Sequence, residues 1–321
     1  MRIQIKQPRA VWLRAWLGPA GLGFIVAILA GAPGSICRPQ IQSSQPGAAA
    51  TLPPHISHFH HLHLNGTDPQ SAIKFYTGKF DCVQAKLGGA IDAMWAQKSW
   101  IIIDKVASPP PWQLTSAIWH FGWGAEDMQA TYQKQLDSGT RFFTPITQLA
   151  PQFYYAYVEG PDHALIELNT ASHHHFGHLH LFSEDPVAAA EWYIKYLGAT
   201  PRGAWPPSRE PRFRKDLQIG PSASLMVDDV NIIIYPIQYS RTAYKDHWKD
   251  QTDMSPTEGR VVDHVAFSFD NLEDALAAMR KEGVHITQAI KPAEKGKLKS
   301  AFVQGPDKIK IELVQGQARK E

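Results

Sequence analysis

The 321-residue sequence has only two cysteines, Cys37 and Cys82, and Cys37 lies in a stretch rich in Pro, Gly and Ser. A disulfide-stapled fold is thereby excluded. An excess of one charge is missing too, with 32 Lys+Arg against 30 Asp+Glu. No run of basic residues resembles a phosphate-binding stripe, so nucleic acid is not an expected partner. What remains, 44% hydrophobic and 19% charged residues, is the composition of a folded chain long enough for two domains.

The first 32 residues differ from the rest. Arg2, Lys6, Arg9 and Arg14 precede an apolar run from Ala15 to Ala30 that ends in Ala30-Gly31-Ala32. This pattern predicts a secretory signal peptide over 1–32, cleaved after Ala32, and hence a periplasmic or extracellular protein with no membrane attachment after cleavage. The alternative is an uncleaved membrane anchor, against which stand the shortness of the run and its Pro19 and glycines. Without the four basic residues of this leader, which carries no acidic ones, 28 Lys+Arg face 30 Asp+Glu and the mature chain is near −2. Residues 33–54 read as a flexible linker.

Self-similarity organises the remainder. "HLHLNGTDPQSAIKFY" (61–76) recurs without a gap as "HLHLFSEDPVAAAEWY" (178–193), and "HFGWGAEDMQATYQKQLDSG" (120–139) recurs more loosely as "HVAFSFDNLEDALAAMRKEG" (264–283). The second and fourth units end alike, in "GPDHALIEL" (160–168) and "GPDKIKIEL" (305–313). The chain therefore reads as four related modules in two pairs. Each opens with a short alternating strand and a helix; Asp68-Pro69 and Asp185-Pro186 supply an N-cap and a first-turn proline. Gly139 and Gly283 sit where helices stop, and runs such as "SWIIIDKV", "FYYAYVEG" and "VNIIIYPI" follow as strands. The fold class is α+β, built from four βαβββ modules.

Alternation decides which way each strand residue points. Leu62 and Leu64, Leu179 and Leu181, Phe121 and Trp123, and Val265 and Phe267 must face the helices. His61, His178, His120 and His264 then fall on the opposite face. Glu167, between Ile166 and Leu168, and Glu312, between Ile311 and Leu313, also point away from the helices.

These openings, with a histidine seven residues before Asp68, Asp127, Asp185 or Asn271, and the two "GPD…IEL" endings resemble the vicinal oxygen chelate superfamily. That superfamily includes glyoxalases, extradiol dioxygenases and bleomycin-binding proteins; the resemblance covers 58–315. It implies two cup-shaped domains of two modules each, at 55–170 and 177–315, with a linker at 171–176, a long insertion near 202–260 in the second and a tail at 316–321. It also implies a divalent metal on the floor of a cup. Carried over by position, one trio would be His61, His120 and Glu167, and the other His178, His264 and Glu312. Whether modules close within each half or exchange stays open. Such ligands suit Fe, Mn, Zn or Ni and leave positions for a substrate that chelates through neighbouring oxygens. Asp104 stands where some members carry a fourth ligand or a base, whereas its counterpart is Tyr235. His63 and His180 share the ligands' face as candidate outer hydrogen-bond partners, substrate contacts or alternative ligands. His58 and His60 are expected to take no part, and "HHH" at 173–175 reads as a solvated linker. Lys310, two residues from Glu312, is expected to compete there with a cation, which favours the first trio. The insertion is either a lid or a surface excursion.

Two functional classes follow. One is an exported metalloenzyme, dioxygenase-like or glyoxalase-like, acting on a small molecule; export disfavours a substrate built on glutathione, a mainly intracellular thiol. The other is a non-catalytic protein that binds a drug-like or aromatic molecule.

Overall fold

A computed structural model describes residues 56–203, 206–291 and 298–316. The expected signal peptide and linker lie outside these residues. Among the described residues no helix is long and apolar enough to cross a membrane.

The repeat is realised four times. The first module runs β1 (His58–Gly66), α1 (Pro69–Lys79), β2 (Val83–Leu87), β3 (Ile91–Trp95) and β4 (Trp100–Lys105). The second runs β5 (Ile118–Ala125), α2 (Met128–Asp137), β6 (Phe142–Ala150), β7 (Phe153–Glu159) and β8 (Leu165–Thr170). In the third, β9 (Phe176–Ser183) and α3 (Pro186–Leu197) lead through β10 (Thr200–Pro201) and β11 (Ser208–Arg214) to β12 (Leu217–Val227) and β13 (Val230–Pro236). Two short helices, α4 (Gln238–Ala243) and α5 (Lys245–Trp248), precede the fourth module, β14 (Val262–Phe269), α6 (Leu272–Lys281), β15 (Ile286–Lys291), β16 (Ser300–Gln304) and β17 (Lys310–Gln315).

The helices begin where the sequence places them. Asp68, Asp127, Asp185 and Asn271 each accept a hydrogen bond at the side chain from a first-turn amide, which satisfies a donor the helix itself cannot. The alternation also holds. Leu62, Leu64, Phe121, Trp123, Leu179, Leu181, Val265 and Phe267 are all buried, in one core that takes in residues from both sheets. Phe59 on β1 lies 5.7 Å from both Phe176 on β9 and Phe267 on β14, and Phe80, just after α1, stacks on Trp123 of β5 at 4.6 Å.

The sheets pair modules in an order the sequence leaves open. One has the order β15-β16-β17-β14-β1-β4-β3-β2 and the other β10-β12-β13-β9-β5-β8-β7-β6, with β11 on β12. The first module thus joins the fourth, through antiparallel β1 and β14, and the second joins the third, through β5 and β9. Consecutive modules are tied differently. Asp162, in the first "GPD" turn, accepts from the amide and hydroxyl of Thr67, and Asp307, in the second, accepts from the amide of Glu184. Both aspartates adopt positive φ, 51° and 56°, in these turns.

Candidate metal centre

Because modules pair first with fourth and second with third, the donors regroup, and neither trio expected from adjacent modules forms. His61 meets His264 and Glu312, while His178 meets His120 and Glu167. The register explains this. In one sheet His63 faces His264 and His61 faces Ala266 across β1 and β14; in the other His180 faces His120 and His178 faces Gly122 across β9 and β5. Glu312 lies beside Ala266 and Glu167 beside Gly122 on the adjoining parallel strands. The small residue at each place leaves room for a ring and a carboxylate.

The β5–β9 cluster is the barer of the two. His120 Nε2 lies 2.9 Å from Glu167 Oε2 and His178 Nε2 lies 3.9 Å from Glu167 Oε1. One donor atom from each of the three lies within 4.8 Å of the others. All three residues are buried. Both nitrogens of His120 and the Nε2 atoms of His178 and His180 make no hydrogen bond despite that burial. Buried polar atoms without partners are costly and rare. Burial drives the His178 pKa down to about 4, against the pull of Glu167, and holds His120 and His180 well below the usual histidine value. Neutral imidazoles with free lone pairs beside a carboxylate are what a divalent cation needs, and adjacent ligands on bonds of about 2.1 Å sit about 3 Å apart. The donors present fit a metal.

The β1–β14 cluster also leaves His61 Nε2 and His63 Nδ1 without a hydrogen bond, but it has spent more of its polar valence internally. Glu312 Oε2 lies 3.1 Å from His61 Nε2 and 3.2 Å from His264 Nε2, and His264 Nδ1 lies 2.5 Å from Asp263 Oδ1. Burial works against charge on His264, but the carboxylates on either side outweigh it and raise its pKa. Burial likewise works against charge on Glu312, and hydrogen bonds from His264 and His61 reverse it, leaving that carboxyl below its usual range. The flanking carboxylates thus favour a proton on His264. His61, His63 and His264 also bring ligand atoms within 4.8 Å of one another, so this donor set too could accept a cation, in competition with that proton.

Several expectations require correction. Asp104 does not occupy the position equivalent to Glu167 and Glu312: the residues beside His63 and His180 are Ile102 and Ile233. Asp104 lies two places further along β4, exposed, where its carboxylate sits 3.2 Å from His63 Nε2. Lys310 pairs with Asp263 at 2.9 Å and Glu258 at 3.2 Å rather than with Glu312, so the charge argument for the first trio falls. His60 is not a bystander. A bulge between Phe59 and His61 turns it inward, buried, with its Nδ1 2.8 Å from that of His61. His58 instead pairs with Asp228 at 2.9 Å.

A cavity of about 710 Å³ lies over the β5–β9 cluster, with Glu167, His178 and His180 among its lining. Trp119, Tyr155, Tyr157, Tyr235 and Tyr239 form aromatic walls. The insertion is neither a detached lid nor a bare excursion: its Arg212, Arg214 and Tyr239 are part of the wall. The histidine run at 173–175 also contributes. His173 lines the cavity and stacks on His175 at 3.8 Å, and its ring occupies the space that side chains at Gly124 and Gly177 would fill. Only a scan for glycines opposite that run would have hinted at this.

Comparison with known proteins fits this architecture. The family model for the Glyoxalase/Bleomycin resistance protein/Dioxygenase superfamily matches residues 58–168 and 175–313. Lactoylglutathione lyases of Salmonella typhimurium and Escherichia coli O157:H7 are each 37% identical over 57 residues, 18% of this chain. The match spans 42% of the length of those relatives. Among solved structures, glyoxalase I from Zea mays aligns with a TM-score of 0.61 at 15% identity, covering 81% of this chain and 93% of that one. A putative dioxygenase from Bacillus subtilis aligns with a TM-score of 0.54 at 12% identity, covering 80% and 84%. Those identities speak for the fold alone. The chain belongs to the Glyoxalase/Bleomycin resistance protein/Dioxygenase superfamily.

Proposed function

We propose that this chain is a metal-dependent enzyme acting on a small molecule with two neighbouring oxygens, that the reaction takes place at His120, His178 and Glu167, and that it is dioxygenase-like. The observation that carries the reading is the convergence of these three buried donors, with histidine nitrogens that make no hydrogen bond, beneath the cavity of about 710 Å³ that Glu167 and His178 line. A divalent ion held there would supply Lewis acidity and a place where two substrate oxygens, or one substrate and O₂, meet.

The choice of reaction rests on Ile233. Two imidazoles and one carboxylate form the set that leaves open positions in non-haem iron oxygenases. An isomerase that shuttles a proton through an enediolate gains from a second carboxylate facing the first, and Ile233 fills that place with a hydrocarbon. His180 is the base at hand. Its ring centroid is 4.9 Å from that of His120 and 4.5 Å from that of Tyr235, and its Nε2 is buried and unpartnered. Its free lone pair can accept the proton a substrate hydroxyl loses, with the nearby Glu167 carboxylate offsetting part of the burial that weakens it as a base. Glu167 is steadied by Asn169, which donates to its Oε1 at 3.0 Å.

The short match to lactoylglutathione lyases favours the isomerase as a second reading. Export, supported by the leader-like residues 1–32, weighs against a glutathione conjugate; mass analysis of the protein recovered from cells reads cleavage after Ala32 directly. The test of the reaction is anaerobic loading with Fe(II), Mn(II), Zn(II) or Ni(II), then an oxygen-uptake screen on catechols. Substrate-dependent uptake that His178→Ala abolishes supports oxygenation. Turnover of an α-hydroxycarbonyl or hemithioacetal without oxygen supports the isomerase. A metal-loaded protein that binds aromatic molecules and turns none over supports the non-catalytic binding class.

A further inference from the structure

We infer that the cavity over β9 is built for an aromatic molecule bearing an oxyanion group, and that Arg202, Arg212 and Arg214 hold that group. The inference deepens the reading above and rests on it only for where the chelating oxygens go.

The charge of the lining is one-sided. Three guanidiniums face the cavity, and among the described residues its only carboxylate is Glu167, on the floor. The chain as a whole is nearly balanced, 32 Lys+Arg against 30 Asp+Glu, so this local excess is not a by-product of composition. Arg202 and Arg214 enter no ion pair among the described residues.

The three are placed by the backbone of the insertion. Arg202 follows β10, where its amide donates to the Ser224 carbonyl at 2.9 Å. Arg212 and Arg214 stand two apart on β11 and both line the cavity, across an irregularity in the pairing with β12, while Phe213 between them is 63% exposed. Gly220 lets β11 come close: a Cβ there would lie 2.6 Å from the Glu210 carbonyl oxygen. Arg212 is fixed further by donating to the Ser222 hydroxyl.

The other cluster carries the opposite sign. Around His264 stand Asp263, Glu312 and, through Lys310, Glu258, with Asp104 on His63. On the matching edge of the first module, β2 carries no arginine. A guanidinium array above an aromatic-walled cavity recognises an oxyanion by paired N–H donors and a ring by stacking.

The test uses benzoate and benzamide, which share a ring and differ in charge, with affinities measured by calorimetry on the purified full chain. The expected result at low salt is benzoate bound about tenfold tighter than benzamide, the preference shrinking as salt screens these partly exposed arginines. The double substitution Arg202→Gln/Arg214→Gln should abolish the preference, and Arg202→Lys/Arg214→Lys should keep part of it. Equal affinities for the two probes, no detectable benzoate binding, or a preference that survives the double glutamine substitution would each overturn the inference. A separate comparison on metal-loaded protein, 3,4-dihydroxybenzoate against benzoate, reads the chelation itself. No gain from the two hydroxyls would sink the chelation reading while the anion preference stood.

Discussion

Gly122 and His178 face each other across β5 and β9, and a Cβ on Gly122 would fall 2.2 Å from Cε1 of the His178 ring and 2.5 Å from the Glu167 carbonyl oxygen. The imidazole therefore lies flat over a strand that has no side chain to offer at that point, and this is how it reaches Glu167.

Gly122→Ala should push the ring off its seat. We expect metal affinity at this cup to fall roughly 10–100-fold, as for other losses of ligand positioning, with stability lowered by about 1–3 kcal/mol. Gly78→Ala, within α1 and with open space around it, is the control and should be neutral or slightly stabilising. Metal titration and thermal melts of both variants measure this.

The metal-free protein should lose stability as pH falls from about 6.5 to 4. Burial lowers the pKa of His60 to about 3 and those of His61 and His178 to about 4. In that window the unfolded chain binds protons that the folded chain refuses, so stability rises with pH and drops on acidification. Each such histidine contributes a slope of about 1.4 kcal/mol per pH unit at most. His264, raised by its carboxylate neighbours, adds stability as pH falls towards 6.5, above this window. Denaturant melts from pH 7.5 to 4 should show the decline, and a flat profile would contradict it.

Asp263 anchors the other cup, taking His264 at 2.5 Å and Lys310 at 2.9 Å while accepting the Gly259 amide at 2.6 Å. Asp263→Ala would take one of two carboxylates from each partner, leaving His264 with Glu312 and Lys310 with the exposed Glu258, at a cost of about 1–3 kcal/mol. Oxygen uptake per folded molecule should be unaffected, because the reaction is assigned to the other cup. Chemical denaturation read beside turnover separates the two effects.

How much of this could be read in the sequence follows from which interactions are local. Capping at Asp68, Asp127, Asp185 and Asn271 and the inward set from Leu62 to Phe267 depend on spacings of a few residues, and both are legible. So is the face of His61, His120, His178, His264, Glu167 and Glu312. The partners of those residues are not, because the antiparallel joins β1–β14 and β5–β9 are choices between equivalent strands far apart in the chain. The inward turn of His60 depends on a single bulge, which breaks the period of two on which the face assignment rests. Arg212 and Arg214 sit in an insertion without a repeat to compare, and the seat of His173 is fixed by glycines on two other strands.

The most direct measurement compares metal content and oxygen uptake in His178→Ala and His61→Ala, each reconstituted anaerobically and assayed with the best catechol substrate of the wild-type protein. The account predicts that His178→Ala loses the catalytic metal and at least about 100-fold in turnover, while His61→Ala keeps both. Full activity and metal in His178→Ala, with both lost in His61→Ala, would place the chemistry at the other cup and contradict it.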